Sequence, residues 1–111
     1  MPKKYLSMLG MARRAGRLAM GHDMAMGSLR EHKAQLIVFA SDISKRLTEE
    51  FELAKQKHYP ELEMIKIDET IEELHKALGY KAGVIAVNDS NFSVRIIQLI
   101  KQEGNEYGNK D

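Results

Sequence analysis

The chain has 111 residues, enough for one domain with a single hydrophobic core and too few for two. It contains no cysteine, which excludes disulfides, thiolate metal sites and thiol nucleophiles, and no run of about 18 apolar residues that could cross a membrane. The formal net charge of +1 conceals a strong polarity, because residues 1–33 carry seven basic and two acidic side chains (+5) and the remainder carries ten basic and fourteen acidic ones (−4).

Two helical patterns separated by a short extended stretch make up the first part of the chain. An apolar stripe at helical spacing predicts a helix over residues 3–15, and it consists of Tyr5, Met8, Leu9 and Ala12. Gly16 follows, and glycine is typical just after a helix end. Residues 17–20 have the length of a short strand only, and residues 21–33 show a second helical pattern.

Two runs of branched apolar residues, "QLIVFAS" at 35–41 and "GVIAVND" at 83–89, predict strands covered on both faces. Between and after them we predict a helix over 43–58, a strand over 62–67, a helix over 69–78 and a helix over about 90–102. Thr70 and Glu73 have the spacing of a capping box. Residues 104–111 are polar, contain glycine and are predicted to be a flexible tail. Helices and strands therefore alternate throughout, which predicts a parallel-rich sheet between helical layers.

The stretch "MLGMARRAGRLAMGHD" at 8–23 combines Arg13, Arg14 and Arg17 with interspersed glycines. The helix predicted after Gly21 would offer free backbone N–H groups and the positive end of its dipole to a phosphate or a base edge. Arginines nearby would attract phosphates or stack on bases. This combination predicts an RNA-docking edge.

Simpler interpretations stay open for each of these features. Gly16 and Gly21 could be helix punctuation only, and Arg13 with Arg14 could be the solvated face of the first helix. Other chemistries find less support: the four histidines lack a metal-binding spacing, "SDIS" at 41–44 is typical of a helix cap, and no phosphate-binding or dinucleotide motif is present. We therefore predict no metal and no cofactor, and an enzymatic function is the least supported interpretation of the residues.

The segments "LGMARRAGRLAMGHD" and "KAQLIVFASD" closely resemble the YlxQ proteins, bacterial relatives of the L7Ae, L30e and Gadd45 ribosomal protein family. The resemblance covers roughly residues 5–100, and the residues that carry it are Gly10, Ala12, Arg14, Ala15, Gly16, Leu18, Gly21, Lys33, Ala34, Ala40, Ser41, Asp42 and Gly79. It implies a three-layer α-β-α sandwich, binding of kink-turn RNA, membership of ribosomes or ribonucleoprotein particles, and no enzymatic activity. We assign the α/β class, with a four-stranded mixed sheet in a single domain over residues 1–103.

The RNA signature of that family is Gly-x-Asn-Glu-x-x-Lys at the start of the second helix. Gly21 matches its glycine, whereas Asp23, Met24 and Gly27 replace the asparagine, glutamate and lysine. An aspartate lacks the donor of an amide and repels phosphate, and loss of the lysine removes a phosphate contact. The family's second contact loop corresponds to residues 79–82, where the resemblance implies contacts by the loop that begins at Gly79, with stacking by Tyr80 and a phosphate contact by Lys81.

The predicted function is therefore that of a non-enzymatic, cytoplasmic and ribosome-associated RNA-binding protein. Its expected ligand is structured RNA, ribosomal or of the kink-turn type. Ribosomal proteins are further expected partners, and neither DNA nor a membrane is expected. Its predicted RNA-binding residues are Arg13, Arg14, Arg17, Gly21, His22, Asp23, Gly27, Gly79, Tyr80 and Lys81. Among these, Gly21 and His22 are expected to donate backbone N–H groups. The alternative is a protein-interaction module of the same fold that has lost kink-turn recognition and uses a methionine-rich edge.

Overall fold

Five helices and four strands alternate along the chain in the computed structural model, which describes residues 3–108. In chain order these elements are α1 (Lys4–Arg14), β1 (Leu18–Met20), α2 (His22–Arg30), β2 (Leu36–Phe39), α3 (Lys45–His58), β3 (Glu63–Lys66), α4 (Ile71–Leu78), β4 (Val84–Val87) and α5 (Ser90–Gly108). Every predicted helix and strand is therefore present. The backbone of α5 continues to Gly108, beyond its predicted end, and the last residues of the predicted tail, 109–111, lie outside the described range.

The four strands form one mixed sheet in the order β1-β4-β2-β3. β4 runs antiparallel to both of its neighbours, β1 and β2, and only the β2–β3 pair is parallel. The mixed four-stranded sheet is thus confirmed, whereas the prediction of a parallel-rich sheet was wrong. The reason is strand order: β1, β2 and β3 share one direction, as helical crossovers favour, but the reversed β4 lies between β1 and β2 and converts two of the pairings.

Helices cover both faces of the sheet and bury the two central strands completely. Buried side chains of α1, α4 and α5 pack on one face and those of α2 and α3 on the other. All four residues of β2 and all four of β4 are buried, as their continuous apolar runs predicted. The result is the three-layer α-β-α sandwich expected from the sequence.

Polar side chains fix the starts of two helices, α3 and α4. Thr70 and Glu73 form the predicted capping box at the start of α4, and Ser44 accepts a hydrogen bond from the Leu47 amide at the start of α3. Asp42 reaches across to the start of α4, where its carboxylate accepts a hydrogen bond of 2.9 Å from the Ile71 amide. Asp42 and Ser44 of "SDIS" therefore act as helix caps.

A buried polar network ties the start of α1 to the turn between β3 and α4. The Tyr5 hydroxyl donates a hydrogen bond of 2.6 Å to Glu69, and Lys3 forms an ion pair of 3.2 Å with the other oxygen of the same carboxylate. Both Tyr5 and Glu69 are more than nine-tenths buried. Burial and the adjacent carboxylate raise the pKa of the Tyr5 hydroxyl above its ordinary value.

We expect Tyr5→Phe to lower the free energy of unfolding by about 1–3 kcal/mol, because it removes a donor from a buried carboxylate while keeping the ring. Urea denaturation of the variant and the parent protein measures this difference. Tyr80→Phe is the matched control, since Tyr80 is 48% exposed and its hydroxyl has no partner among the described residues. Equal losses in the two variants would show that the Tyr5 hydroxyl contributes nothing particular to stability.

Candidate functional site

The start of α2 exposes backbone donors, but the first of them is already used inside the fold. Gly21 is the N-cap with φ 94°, a conformation that a residue with a Cβ adopts only with strain. Its N–H donates a hydrogen bond of 2.9 Å to the Val84 carbonyl. Gly21 was therefore wrongly predicted as a donor to RNA. The N–H groups of His22, Asp23 and Met24 follow, and none of them has a partner among the described residues.

The loop between α4 and β4 contacts the end of α1 near its beginning and the residue before α2 at its end. α4 ends at Gly79, and the exposed ring of Tyr80 lies 6.0 Å from the guanidinium carbon of Arg13, within reach of a cation–π contact. At its other end the loop enters β4 at Val84, whose carbonyl binds Gly21. Exposed Lys81 belongs to the segment between these two anchors. The structure thus places Tyr80 beside Arg13, and the far end of the loop beside the α2 start.

Arg14 and Arg17 lie apart from this junction. The carbonyl of Arg17 accepts a hydrogen bond from the Asn88 amide, so its backbone is at the opposite end of β1 from Gly21, about 10–13 Å away. The guanidinium of Arg14 folds back along α1, where a Cβ built on Gly10 would lie 3.5 Å from it. Both side chains are exposed. The structure records no contact that joins Arg17 to Lys81 among the residues it describes.

The exposed cations at the junction and those farther from it are free of carboxylates. Within the described part of the chain, no acidic oxygen lies within 4.0 Å of the cationic groups of Arg13, Arg14, Arg17 or Lys81. An unpaired cation retains its full attraction for a phosphate, because it has no internal partner to give up. This side of the junction therefore has the charge expected of a surface that meets a polyanion.

The first turn of α2 has a different electrostatic character. The Nδ1 atom of His22 lies 3.0 Å from an oxygen of Asp23, and its Nε2 atom lies 2.9 Å from an oxygen of Glu50 on α3. The hydrogen bond to Asp23, which has the larger effect, and the hydrogen bond to Glu50 raise the pKa of His22 above its ordinary value of 6.5. The ring also meets Phe51 edge to face, at 5.7 Å between centroids. Positive charge from the preceding arginines was expected here, whereas the nearest side chains are carboxylates.

Glu50 was missed by the sequence interpretation, which did not include it among the candidate site residues. Its neighbour Phe51 is fully buried against the sheet, and this packing turns Glu50 toward α2. No spacing in the sequence indicates the contact, because it depends on how two helices lie side by side.

The three substituted signature positions are open to solvent. The Asp23 side chain is 99% exposed, Met24 is 64% exposed, and nothing lies within 4 Å of a Cβ built on Gly27.

A shallow cavity of about 330 Å³ lies between α3 and β3, away from this junction. Phe39 and Met64 line it together with Thr48, Glu52, Lys55 and Lys66. Its one carboxylate, Glu52, is exposed rather than buried, so the cavity lacks the desolvated acid that would suggest acid–base chemistry.

None of the helices over the described residues is long and apolar enough to span a bilayer.

With this geometry in hand, comparison with known sequences identifies the class of protein. The sequence model of the ribosomal protein L7Ae/L30e/S12e/Gadd45 family matches residues 3–93, and the chain belongs to this family. Among curated proteins, the chain is similar to the RNA-binding protein YlxQ of Enterococcus faecium. The two sequences are 23% identical over 99 residues, which cover 89% of this chain and 93% of that protein.

Solved structures share the fold. A protein of unknown function from Bacillus halodurans superposes with a TM-score of 0.81 at 24% identity, covering 90% of this chain and 99% of that one. The 15.5kD RNA binding protein of Giardia lamblia superposes with a TM-score of 0.70 at 14% identity, covering 92% of each chain. At these identities the similarity establishes the architecture, and the sandwich of five helices and a mixed sheet is that of the family.

We expect the contribution of His22 to stability to depend on pH. Because its pKa is raised in the folded state, the stabilisation is complete below the unfolded pKa of about 6.5 and is lost as the pH rises through the folded pKa. Urea denaturation of the parent protein and His22→Gln at about pH 6 and about pH 9 checks this, the parent losing its advantage at the higher pH. A stability difference that stays the same at both pH values would contradict the expectation.

Proposed function

We propose that this protein binds structured RNA of the kink-turn type through the junction of α2, the loop 79–83 and the end of α1. The observation that carries the proposal is the path of that loop, which holds Tyr80 against Arg13 and then enters β4 beside Gly21. The loop that carries the stacking and cationic groups thereby ends beside Gly21, the residue that precedes the backbone donors. Family membership and the RNA-binding relatives support the same function.

The groups on this surface suit an irregular RNA better than a regular duplex. An exposed ring such as Tyr80 stacks on a base that has left its helix, and Arg13 behind the ring adds a positive charge for the adjoining phosphate. The open amides of His22, Asp23 and Met24 can donate to base edges or backbone oxygens. A sharply bent RNA would place an unstacked base and its flanking backbone against these two parts together.

The finer assignment adds cations that lie on and around this surface. Arg14, Arg17 and Lys81 would attract phosphates at longer range, and Gly79 would shape the loop. We propose a cytoplasmic protein that associates with ribosomal RNA, with ribosomal proteins as further partners, without a cofactor and without catalysis. Positions 23, 24 and 27 lack the signature asparagine, glutamate and lysine. We therefore propose that this protein binds RNA more weakly than a protein of the same fold that carries all three.

Binding can be measured with a fluorescein-labelled RNA duplex containing a kink-turn, beside a control duplex in which the internal loop is fully paired. We expect Tyr80→Ala to weaken binding of the kinked RNA about 5- to 150-fold, the equivalent of one lost base stack. Arg13→Gln and Lys81→Gln should each reduce the slope of log affinity against log salt by about 0.7–0.9. Lys57→Gln, in the last turn of α3, is the matched control and should change neither quantity.

Three outcomes separate the alternatives. Preference for the kinked duplex, lost in Tyr80→Ala, supports the proposal. Equal affinity for both duplexes would contradict kink-turn recognition and leave a general RNA-binding surface. Absence of binding at low salt would favour the protein-interaction module, for which the 64% exposure of Met24 at the α2 start is the supporting observation.

Restoring the signature lysine gives an independent test. We expect Gly27→Lys to tighten binding of the kinked RNA about 3- to 10-fold, because it adds a phosphate contact in open space. Gly27→Ala is its control and should leave affinity unchanged while stabilising α2 by about 0.5–1 kcal/mol. Equal effects of the lysine and the alanine on affinity would show that position 27 lies outside the RNA-binding surface.

A further inference from the structure

The two ring nitrogens of His22 both face carboxylate oxygens, at 3.0 Å for Asp23 and 2.9 Å for Glu50. A neutral imidazole has one N–H donor and one lone pair, so one of these contacts would set a lone pair against a negative oxygen. Only the imidazolium ion can donate to both carboxylates. The geometry of the cluster therefore selects the protonated, positively charged form of His22.

We infer that His22 supplies a proton-dependent positive charge to the RNA-binding surface, and that Glu50 of α3 is the positioning residue that holds this charge at the start of α2. The inference rests on the proposed function and adds its regulation. Glu50 lies outside every segment predicted to contact RNA, and it acts on the surface in two ways, by holding the ring in its protonated form and by its own negative charge.

Charge at the α2 start changes by one when His22 loses its proton. Asp23 from α2 and Glu50 from α3 are the titratable groups in contact with the ring among the described residues, and the third neighbour, Phe51, is apolar. Three other charged residues lie early in α3, Lys45, Arg46 and Glu49. Lys45 and Glu49 lie 4.0 Å from each other, and none of the three forms a hydrogen bond with the ring among the described residues. The cluster therefore carries a net charge of −1 with the imidazolium and −2 with the neutral ring.

This change falls directly beside the open amides of the α2 start. The ring belongs to the residue that provides the first of those amides, and the His22 side chain is 40% exposed. A second uncompensated negative charge at this position repels an approaching phosphate and opposes the attraction of the helix dipole. RNA binding is accordingly coupled to proton uptake by His22, and by linkage affinity falls as the pH rises through the pKa of His22.

Two measurements test the inference. Proton NMR titration of the His22 ring, without RNA, gives its midpoint in the parent protein and in Glu50→Gln; we expect a lower midpoint in the variant. Fluorescence anisotropy with the labelled kink-turn duplex at about pH 6 and about pH 9, at constant ionic strength, gives the affinity. We expect the parent protein to bind about 3- to 10-fold more weakly at the higher pH.

The variants separate the contribution of His22 from that of other titrating groups. His22→Gln should bind equally at both pH values, at the affinity of the parent at high pH, whereas Glu50→Gln should bind more tightly than the parent at both. His75→Gln is the matched control, because His75 lies on α4 beside Glu72, and it should retain the full pH dependence.

The outcomes also distinguish this inference from the proposed function. RNA binding that is independent of pH in the parent, or pH dependence that persists in His22→Gln, overturns the role of His22 and leaves the proposed function standing. An unchanged ring midpoint in Glu50→Gln overturns the role of Glu50. Absence of RNA binding at either pH overturns both the proposed function and the inference built on it.

Discussion

The hydrogen bond from the Gly21 amide to the Val84 carbonyl is the contact on which the candidate site depends. It exists because β4 is inserted, in reversed direction, between β1 and β2, so that the end of β1 meets the beginning of β4. Everything attached to these two points is thereby brought together: α2 begins at one of them, and the loop from α4 ends at the other. A donor expected to reach a ligand instead fixes the frame that presents the next three donors.

Charge is distributed unevenly around that frame. The cations of Arg13 and Lys81 stand on the side of the loop, and the carboxylates of Asp23 and Glu50 stand on the side of α2. Such a division gives a polyanion a preferred orientation, because its phosphates are drawn to one side and its base edges remain for the amides on the other. Net charge alone, at +1, gives no indication of this polarity.

Local patterns in the sequence predicted the elements well. Apolar stripes, branched runs and capping residues act within a few neighbours along the chain, so the helices, the strands, the capping box of Thr70 and the capping role of Asp42 could all be anticipated. The order of strands in the sheet could not, because residue patterns do not specify which strand inserts between which. The prediction of a parallel-rich sheet failed for that reason, and the prediction for the Gly21 amide failed with it.

The composition of the site shows the same limit. Loop residues such as Tyr80 could be selected from the sequence through a family resemblance, yet their proximity to Arg13 depends on how α1 packs against α4. Glu50 escaped notice because its approach to His22 depends on the packing of α3 against α2. Side chains that belong to one segment could be predicted, whereas contacts between segments required the structure.

Two glycines in the left-handed region bracket β1, Gly16 with φ 73° and Gly21 with φ 94°. The strand between them is pinned at both ends, since the Asn88 amide binds the Arg17 carbonyl and the Gly21 amide binds Val84. One inserted residue would rotate the strand's side chains to the opposite face and carry α2 out of place. The length of the segment between Gly16 and Gly21 is therefore fixed at both ends, and an insertion there would disturb the fold more than a substitution at one of the residues between the two glycines.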